Sequence, residues 1–201
     1  MSEPAEWRGQ NHHTETIKPK SSTKIAEQGE ALMKVFSANL DNLRKLYINQ
    51  LQMLLSTEQQ ITEALPKMID KSTDTQLRQA FQSHLQETQV HVQRIEQILN
   101  KVAGEAKPTK CKVMAALATE AEDMVKDAAD ESVRDAALIS AGQRVEHYEI
   151  AVYGAVRRWA QILGETAHVE LLDKTIKEEG HADHLLTEIA ERVNPYAQKA
   201  A

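Results

Sequence analysis

The sequence predicts an all-α protein whose core is a bundle of four long helices. Glycine and proline, which interrupt helices, number only 7 and 5 among the 201 residues, whereas strong helix formers such as Ala, Leu, Glu and Gln are abundant. Apolar residues recur at a helical period along four long segments. Only a few residues separate the first segment from the second, and the third from the fourth. Each of these pairs is therefore expected to form an antiparallel hairpin.

The first hairpin is predicted from residues 41–69 and 74–102. The apolar stripes of its two helices are Leu51, Leu54, Leu55, Ile61, Leu65 and Ile69, and then Leu77, Ala80, Phe81, Ile95, Ile98 and Leu99. Ser37 or Asp41 is positioned to cap the first helix, because either side chain can accept a hydrogen bond from a free backbone N–H group. The turn at residues 71–74 (KSTD) supplies further capping side chains.

The second hairpin is predicted from residues 132–163 and 166–193. Its first helix carries Leu138, Val145, Val152, Val156 and Leu163 on one side. Gly164 is expected to end that helix, since glycine readily adopts the left-handed conformation found at helix C-termini. The last helix is expected to stop before Pro195, because proline lacks the backbone N–H group that continues a helix.

A long segment connects the two hairpins. It begins at Gly104 and Pro108, which end the second helix, and it contains a shorter helix predicted at residues 111–127. Such a segment has to cross the bundle before the second hairpin begins. Two hairpins joined by one long crossover are the connectivity of ferritin-like four-helix bundles. The predicted fold is therefore a ferritin-like bundle that occupies residues 31–201.

The N-terminal residues 1–30 are polar and lack an apolar period, so they are predicted to form a flexible tail. His12 and His13 within this tail are interpreted as a solvated pair rather than as metal ligands. A short amphipathic piece at residues 31–36 is a candidate for docking on the bundle.

The composition argues against several classes of function. The formal net charge is −6 and no basic cluster is present, which disfavours nucleic-acid binding because phosphate neutralisation needs clustered Lys and Arg. No apolar run approaches the ~18–20 residues needed to cross a bilayer, and no signal-peptide pattern is present. The single cysteine, Cys111, fits a reducing compartment. We therefore expect a soluble, cytoplasmic protein that binds neither nucleic acid nor membranes.

Each long helix places a carboxylate near its middle, on or near the face expected to be buried. These carboxylates are Glu58, Glu87, Glu149 and Glu179. Burying a carboxylate without a partner is costly, and Asp and Glu are almost never fully buried alone. Few Lys or Arg residues lie on the same faces. A pair of metal ions is therefore the natural source of the compensating positive charge.

Helical rotation of about 100° per residue tests whether these groups point inward. Glu58 and Glu149 lie within the apolar stripes of their helices, and Glu146 lies about 60° from Glu149 on the same side. On the last helix, Glu179 and Asp183 occupy positions where a core leucine would be expected. All five are therefore candidate ligands.

The second helix contributes histidines as well as a carboxylate. His84 and His91 lie well within its apolar stripe, whereas Glu87 lies toward the edge. We interpret His84 as a candidate ligand. His91 is interpreted as a structural residue or as one that supports the ligands without binding the metal.

The usual inward pattern of metal-binding bundles includes Glu-x-x-His motifs, and this chain departs from it. Val90, not a histidine, stands three residues after Glu87. The last helix contains a literal match from Glu178 to His181, but His181 points nearly opposite to Glu179. This motif match is therefore rejected.

Each of these groups also has a simpler interpretation. A single carboxylate, above all Glu87 or Glu146, could form a salt bridge at the edge of the bundle, and His84 could be a hydrogen-bonded core residue. Tyr148 and Tyr153 could be redox partners or ordinary packing residues. The joint occurrence of the acids at one level of four helices favours a metal site, and carboxylates with imidazoles suit Fe or Mn.

Several stretches of the chain resemble the YciF-like stress proteins, a branch of the ferritin-like superfamily. The stretches are residues 58–61 (EQQI), 64–68 (ALPKM), 84–88 (HLQET), 111–114 (CKVM), 133–139 (VRDAALI) and 145–154 (VEHYEIAVYG), followed by Glu178, Glu179 and Asp183. The resemblance extends from about residue 43 to the C-terminus. One departure is that the family usually has Asp and Tyr shortly before the first Glu, where this chain has Met53 and Leu55.

The resemblance implies a homodimeric helical bundle with a dinuclear metal site. The family pattern places that site on Glu58, His84, Glu87, Glu146, Glu149, Glu179 and Asp183. We expect two Fe or Mn ions per chain, in a stress-response protein with ferroxidase activity or with O2- or peroxide-reducing activity. A manganese-catalase-like peroxide dismutase is the close rival. The alternative is a non-enzymatic structural or partner-binding stress protein with a stabilising metal or a buried ion-pair core.

Overall fold

The computed structural model describes residues 39–199, and within that range every regular element is an α-helix. The helices are α1 (Leu43–Lys71), α2 (Thr75–Ala103), α3 (Lys112–Asp127), α4 (Glu131–Ile162) and α5 (Thr166–Ala197). None of these helices is both long enough and apolar enough to span a membrane. The predicted tail at residues 1–30, its boundary with the bundle and the amphipathic piece at residues 31–36 lie outside the described residues.

The contacts between helix ends confirm the ferritin-like arrangement of two hairpins and one crossover. The Asp135 carboxylate accepts hydrogen bonds from the backbone N–H groups of Thr73 and Asp74, at 2.9 and 2.8 Å, so α2 and α4 begin at the same end of the bundle. Arg44 forms an ion pair with Glu165 at 2.9 Å, so α1 and α5 begin at the opposite end. Neighbouring long helices are therefore antiparallel, and α3 lies against α1 and α4.

The N-termini of the two helices in the first hairpin are capped by side chains. Asp74 caps α2 as expected, accepting from the N–H groups of the first turn. The predicted cap of α1 was wrong, because Asn42 and not Asp41 accepts from the Lys45 N–H group at 3.0 Å. Asp41 lies one residue too early for this role and instead contacts the Lys45 ammonium at 2.9 Å. Ser37 lies outside the described residues.

The C-terminal ends show one confirmation and one correction. Gly104 and Gly164 have φ angles of 78° and 76°, the left-handed conformation that ends a helix at low steric cost. Pro195 does not stop α5, which continues to Ala197. Proline removes only the hydrogen bond to the preceding turn, and Gln198 restores a helical bond to the Asn194 carbonyl at 3.1 Å. An exposed last turn tolerates that loss.

The interior of the bundle contains two apolar clusters that occupy opposite halves of its length. The first cluster comprises Tyr47, Leu51, Leu54, Leu55, Ile95, Ile98, Leu99, Tyr153, Val156, Ala160 and Leu172. The second comprises Ile61, Leu65, Leu77, Phe81, Cys111, Met114, Leu138, Ile139, Leu186, Ile189 and Val193. Burial of a Leu-sized side chain contributes about 1.5–3 kcal/mol, so the two clusters supply most of the stability. A layer of polar residues separates them.

The crossover helix α3 is fixed at its N-terminus by Cys111. The Cys111 N–H group donates to the Ser56 hydroxyl at 3.1 Å, and the Gln60 amide donates to the Cys111 carbonyl at 3.2 Å. The Cys111 thiol in turn accepts from the Met114 N–H group and caps α3. The Cys111 side chain is buried and forms no disulfide.

Candidate metal centre

A layer of ionisable side chains crosses the bundle between the two apolar clusters, and we call it the ionic layer. Its members are Glu58, His84, His91, Glu146, Glu149 and Glu179. All six are at most 6% exposed. Spacings of three residues (Glu146 and Glu149) and seven residues (His84 and His91) bring side chains to one face of a helix. All four long helices therefore contribute to one level of the core.

The ionic layer contains two groups of side chains that could each hold a metal ion. One group is His84, Glu146, Glu149 and Glu179, and the other is Glu58, His91 and Glu179. In each group, one ligand atom from every member lies within 4.8 Å of all the others. Glu179 belongs to both groups, so its carboxylate is common to the two.

His84 lies between two carboxylates of unequal burial. Its Nε2 atom is 3.3 Å from Glu146 Oε1, and both side chains are buried. Its Nδ1 atom is 3.8 Å from Glu87 Oε2, and the Glu87 side chain is 36% exposed. Glu87 therefore supports His84 from the edge of the bundle, and it belongs to neither candidate metal group.

His91 is held from outside and faces the ionic layer. Its Nε2 atom is 2.9 Å from Glu178 Oε2, and Arg94 binds both oxygens of Glu178. Arg94 holds the pKa of the Glu178 carboxyl below its usual range, so Glu178 is ionised and accepts the Nε2 proton. The other ring nitrogen, Nδ1, is 2.9 Å from Glu179 Oε1 and 3.7 Å from Glu58 Oε2. A histidine whose outer N–H group is bound by a carboxylate is the usual arrangement of a metal-ligating imidazole.

Buried side-chain atoms without a hydrogen-bond partner are concentrated in the ionic layer. Within residues 39–199 they are the Thr57 hydroxyl and nine atoms of the layer: Glu58 Oε2, both nitrogens of His84, His91 Nδ1, Glu146 Oε2, and both oxygens of Glu149 and of Glu179. The short approach of His91 to Glu179 lacks the angle of a hydrogen bond. An unsatisfied buried polar group costs about 1–3 kcal/mol. Oxygen and imidazole donors that converge without partners fit a pair of cations.

The same burial that leaves these atoms unpaired shifts their protonation. Burial, followed by the charges of neighbouring acids, raises the pKa of Glu149 well above its usual value. Burial also raises the pKa of Glu58 and Glu146. Burial would lower the pKa of His84, but the neighbouring acids Glu146, Glu87 and Glu179 together outweigh it and raise that pKa to about 9. Without metal, the layer therefore takes up protons, which bound cations would replace.

Comparison with known proteins identifies the family. The model of a family described as a domain of unknown function, DUF892, matches residues 42–198. This chain belongs to the DUF892 family. It is 38% identical over 165 residues to protein YciF of Escherichia coli K12, covering 81% of this chain and 99% of that protein. The matched range contains the whole ionic layer.

Solved structures of related proteins have the same fold as this DUF892 chain. The E. coli stress protein YciF is 37% identical, with a TM-score of 0.73 over 77% of this chain and 98% of that one. YcfI from Rhodopseudomonas palustris is 38% identical, also with a TM-score of 0.73, over 76% and 97% of the two chains. A protein from Xanthomonas campestris with 18% identity and a TM-score of 0.63 shares the fold. The YciF-like character expected from the sequence motifs is confirmed.

Two sequence-predicted ligands of this DUF892 protein, Glu87 and Asp183, are not brought into the ionic layer. Asp183 lies at the bundle surface, 22% exposed, with Oδ1 at 3.2 Å from His147 Nε2 and 3.5 Å from the Gln143 amide. It follows Glu179 by one helical turn on the same stripe, but its shorter side chain pairs with α4 instead of reaching the layer. The side chains of His147 and His184 are exposed.

Two tyrosines that the sequence singled out occupy different surroundings. The Tyr153 hydroxyl donates to Glu58 Oε1, and burial raises the pKa of Tyr153 well above its usual value, so the phenol stays protonated. Tyr153 therefore fixes Glu58 and leaves its second oxygen for the ionic layer. Tyr148 instead lies 3.1 Å from Cys111 Sγ and does not contact the layer's unpaired atoms.

His91, interpreted from the sequence as a structural or supporting residue, belongs to one of the two candidate metal groups. The seven-residue spacing from His84 already placed both rings on one face, two turns apart. A ring on an apolar face has two nitrogens, and the sequence did not reveal that Glu178 binds the outer one. That contact, not the helical period, makes the inner nitrogen available to a metal.

Proposed function

We propose that this DUF892 protein binds two Fe or Mn ions in the ionic layer and acts as a ferroxidase, or as an O2- or peroxide-reducing protein, in a stress response. The observation that carries the proposal is Glu179, whose carboxylate belongs to both candidate groups. A carboxylate shared between two ligand sets is the usual bridge of a dinuclear centre in a helical bundle.

Charge balance supports two divalent cations rather than one. The carboxylates of Glu58, Glu146, Glu149 and Glu179 together carry as much negative charge as two divalent ions carry positive charge. His84 and His91 add neutral nitrogen ligands once their inner protons are displaced. Carboxylate oxygen with a minority of imidazole nitrogen is a donor set that suits Fe and Mn.

The chain's own residues would hold the ligands in position. Glu178, held by Arg94, fixes the orientation of the His91 ring, and the Tyr153 hydroxyl fixes one oxygen of Glu58. The apolar clusters border the layer on both sides along the bundle. Bound Fe or Mn would supply the change of oxidation state that no side chain here can provide. A manganese-catalase-like peroxide dismutase remains the close rival within this proposal.

The test is the metal content of protein purified without chelators, measured by mass spectrometry and scaled to protein concentration. We expect about two Fe or Mn ions per chain, a number that follows from the shared bridge. Glu179→Gln should lose both ions, because it removes one negative charge from both groups while keeping the side-chain shape. Glu170→Gln, an exposed change on the same helix, is the matched control and should retain both. Unchanged metal content in Glu179→Gln would overturn the site.

Turnover separates the oxidase proposal from its non-enzymatic alternative. The alternative is a structural or partner-binding stress protein, and it is favoured by the buried ion pairs of His84 with Glu146 and of His91 with Glu179, which form without a metal. Loaded protein should consume O2 or peroxide, or oxidise added Fe(II), faster than Glu179→Gln. Metal-dependent stability without turnover would favour the structural alternative. The proposed homodimer is tested by light scattering on the same preparation.

A further inference from the structure

A cavity of about 470 Å³ lies beside the ionic layer, where α3 covers the groove between α1 and α4. Buried His84 and Glu146 form its inner end. Its walls are apolar, formed chiefly by Ile61, Leu65, Met114, Leu117, Val125 and Leu138. The cavity therefore joins the candidate metal centre to the surface of the bundle through a hydrocarbon-like passage.

The dimensions and the walls of this cavity define its ligand. Small-molecule sites in proteins occupy ~300–1,000 Å³, and this cavity falls within that range. Metal ions and peroxide are small and hydrated, and the apolar walls offer them no hydrogen-bond partners. An extended hydrocarbon chain gains from such walls, since it leaves water without losing polar contacts.

The outer end of the cavity is positively charged. Lys67, Lys71 and Lys126 line it with exposed side chains, and Arg134 lies deeper. Three of these cations lie near an acid: Lys67 is 2.7 Å from Glu122, Lys71 is 3.9 Å from Asp70 and Arg134 is 3.8 Å from Glu131. Lys126 is the cation of this set that forms no ion pair with a described residue. An anionic head group therefore finds attractive charge at the mouth.

We propose that this cavity binds a single-chain anionic amphiphile, a medium-chain fatty acid being the representative ligand. The hydrocarbon tail occupies the apolar passage toward His84 and Glu146. The carboxylate head stays at Lys71 and Lys126, because the acids of the ionic layer repel it from the inner end. None of these contacts requires a metal, so the inference stands apart from the proposed function.

The crossover helix gives this ligand a means of entry. The N-terminus of α3 is fixed through Cys111, whereas its middle is tied to the bundle by ion pairs of Lys67 with Glu122 and of Arg144 with Glu120. Both pairs are largely exposed, and exposed pairs contribute little stability. Movement of α3 away from α1 therefore costs less at the cavity than at the Cys111 end.

The direct test is calorimetric titration of the full chain with dodecanoate, below its micelle concentration, before and after metal loading. Two alanines of α3, Ala118 and Ala121, line the cavity, so Ala121→Phe fills the passage. We expect Ala121→Phe to weaken dodecanoate binding at least tenfold. Ala116→Phe adds the same ring to an exposed position of α3 that does not line the cavity, and it should bind as the parent does.

The charge of the mouth is tested separately, with a variant that leaves the core untouched. Lys126→Glu should weaken dodecanoate binding several-fold at low salt, whereas Lys112→Glu, an exposed change of equal charge on the same helix, should not. Dodecanol, which lacks the head-group charge, should bind equally to the parent and to Lys126→Glu. Equal dodecanoate affinity in both lysine variants would overturn the head-group assignment.

The two proposals fail in different ways. No dodecanoate binding by the parent, or equal binding by Ala121→Phe and Ala116→Phe, overturns the amphiphile site whatever the metal content. Dodecanoate binding that is sensitive to Ala121→Phe, in protein that takes up no Fe or Mn, supports the amphiphile site and removes the dinuclear proposal.

Discussion

The two halves of the ionic layer are built from similar side chains but differ in their surroundings. In the half around His91, the ring is hydrogen-bonded to Glu178, which Arg94 binds in turn, and the Tyr153 hydroxyl donates to Glu58. Around His84, both ring nitrogens lack a hydrogen bond.

The two halves of the ionic layer also differ in their access from the surface. The cavity of about 470 Å³ and a smaller one of about 50 Å³ both reach His84 and Glu146. Neither cavity is lined by His91. The His91 half is thus closed, and the His84 half is open to small molecules.

The largest expected effect is the pH dependence of the metal-free protein. Each folded-state pKa of His84 and Glu146 lies above its unfolded value, so the folded state binds more protons and stability falls as pH rises. For His84 the stabilisation is full below pH ~6.5 and is lost through pH 9, a change of about 3 kcal/mol. Burial would lower the pKa of His91, but the carboxylates of Glu179 and Glu58 raise it to about 11. The stabilisation that comes from His91 therefore persists to higher pH than that from His84.

Urea unfolding of chelator-treated protein between pH 6 and 9 measures this effect. His84→Gln should make the decline shallower over that interval, because it removes one of the two groups, His84 and Glu146, that titrate there. Stability that rises with pH over the same range would contradict the assigned direction.

The next effect compares the carboxylates that support the two histidines. Glu178→Ala leaves the His91 N–H group and Arg94 without their partner, and it should cost about 2 kcal/mol, in the range for hydrogen bonds to charged groups. Glu87→Ala, which removes the more exposed and more distant partner of His84, should cost less than about 1 kcal/mol.

Thermal unfolding of both variants in the same buffer measures the two losses of stability. Equal losses of stability would mean that the two halves are equally supported. A larger loss in Glu87→Ala would reverse the comparison.

A smaller effect is expected from the tyrosines. Tyr153→Phe leaves Glu58 Oε1 without its donor and should cost about 1–2 kcal/mol, with weaker metal binding in the His91 half. Tyr148→Phe removes a contact to the Cys111 thiol outside the layer and should leave metal affinity unchanged. Competition against a chelator of known affinity measures both variants, and an equal fall in affinity would show that Tyr153 has no special role.

The smallest effect is expected at Asp183, where the sequence and the structure predict different results. Asp183→Asn should leave the metal content at the parent value, because Asp183 contacts His147 and Gln143 rather than the ionic layer. The metal content of Asp183→Asn is compared with that of Glu149→Asn, which should lose metal. Loss of metal from Asp183→Asn would restore Asp183 to the ligand set.

The fold was predictable because its signals are local. Asp74 and Gly104 mark a helix start and a helix end by their own backbone preferences, and the apolar period fixes which face is buried. The prediction that the last helix stops before Pro195 was wrong, because the steric rule for proline concerns a helix interior and Pro195 lies in the exposed last turn of α5. The cap at Asn42 shifted by one residue, within the usual uncertainty of helix boundaries.

The candidate site was predictable only as far as helical rotation reaches. Glu58, Glu149 and Glu179 occupy leucine positions, which a single helix reveals. The positions of His91 inside the layer and of Asp183 outside it depend on neighbouring helices: Glu178 contacts His91, and His147 contacts Asp183. The cavity under α3 arises from how the crossover packs on two helices, and no local pattern encodes it.

The position of the ionic layer also has a consequence for cooperativity. It interrupts direct apolar contact between the two clusters, so each half of the bundle can open as a separate unit when the layer is protonated and metal-free. Ions bound to all four long helices would couple the halves into a single transition. Amide hydrogen exchange would then give two free energies of opening in metal-free protein, one for each half of the bundle, and a single one in the loaded form. The cooperativity of unfolding would therefore depend on the supply of metal.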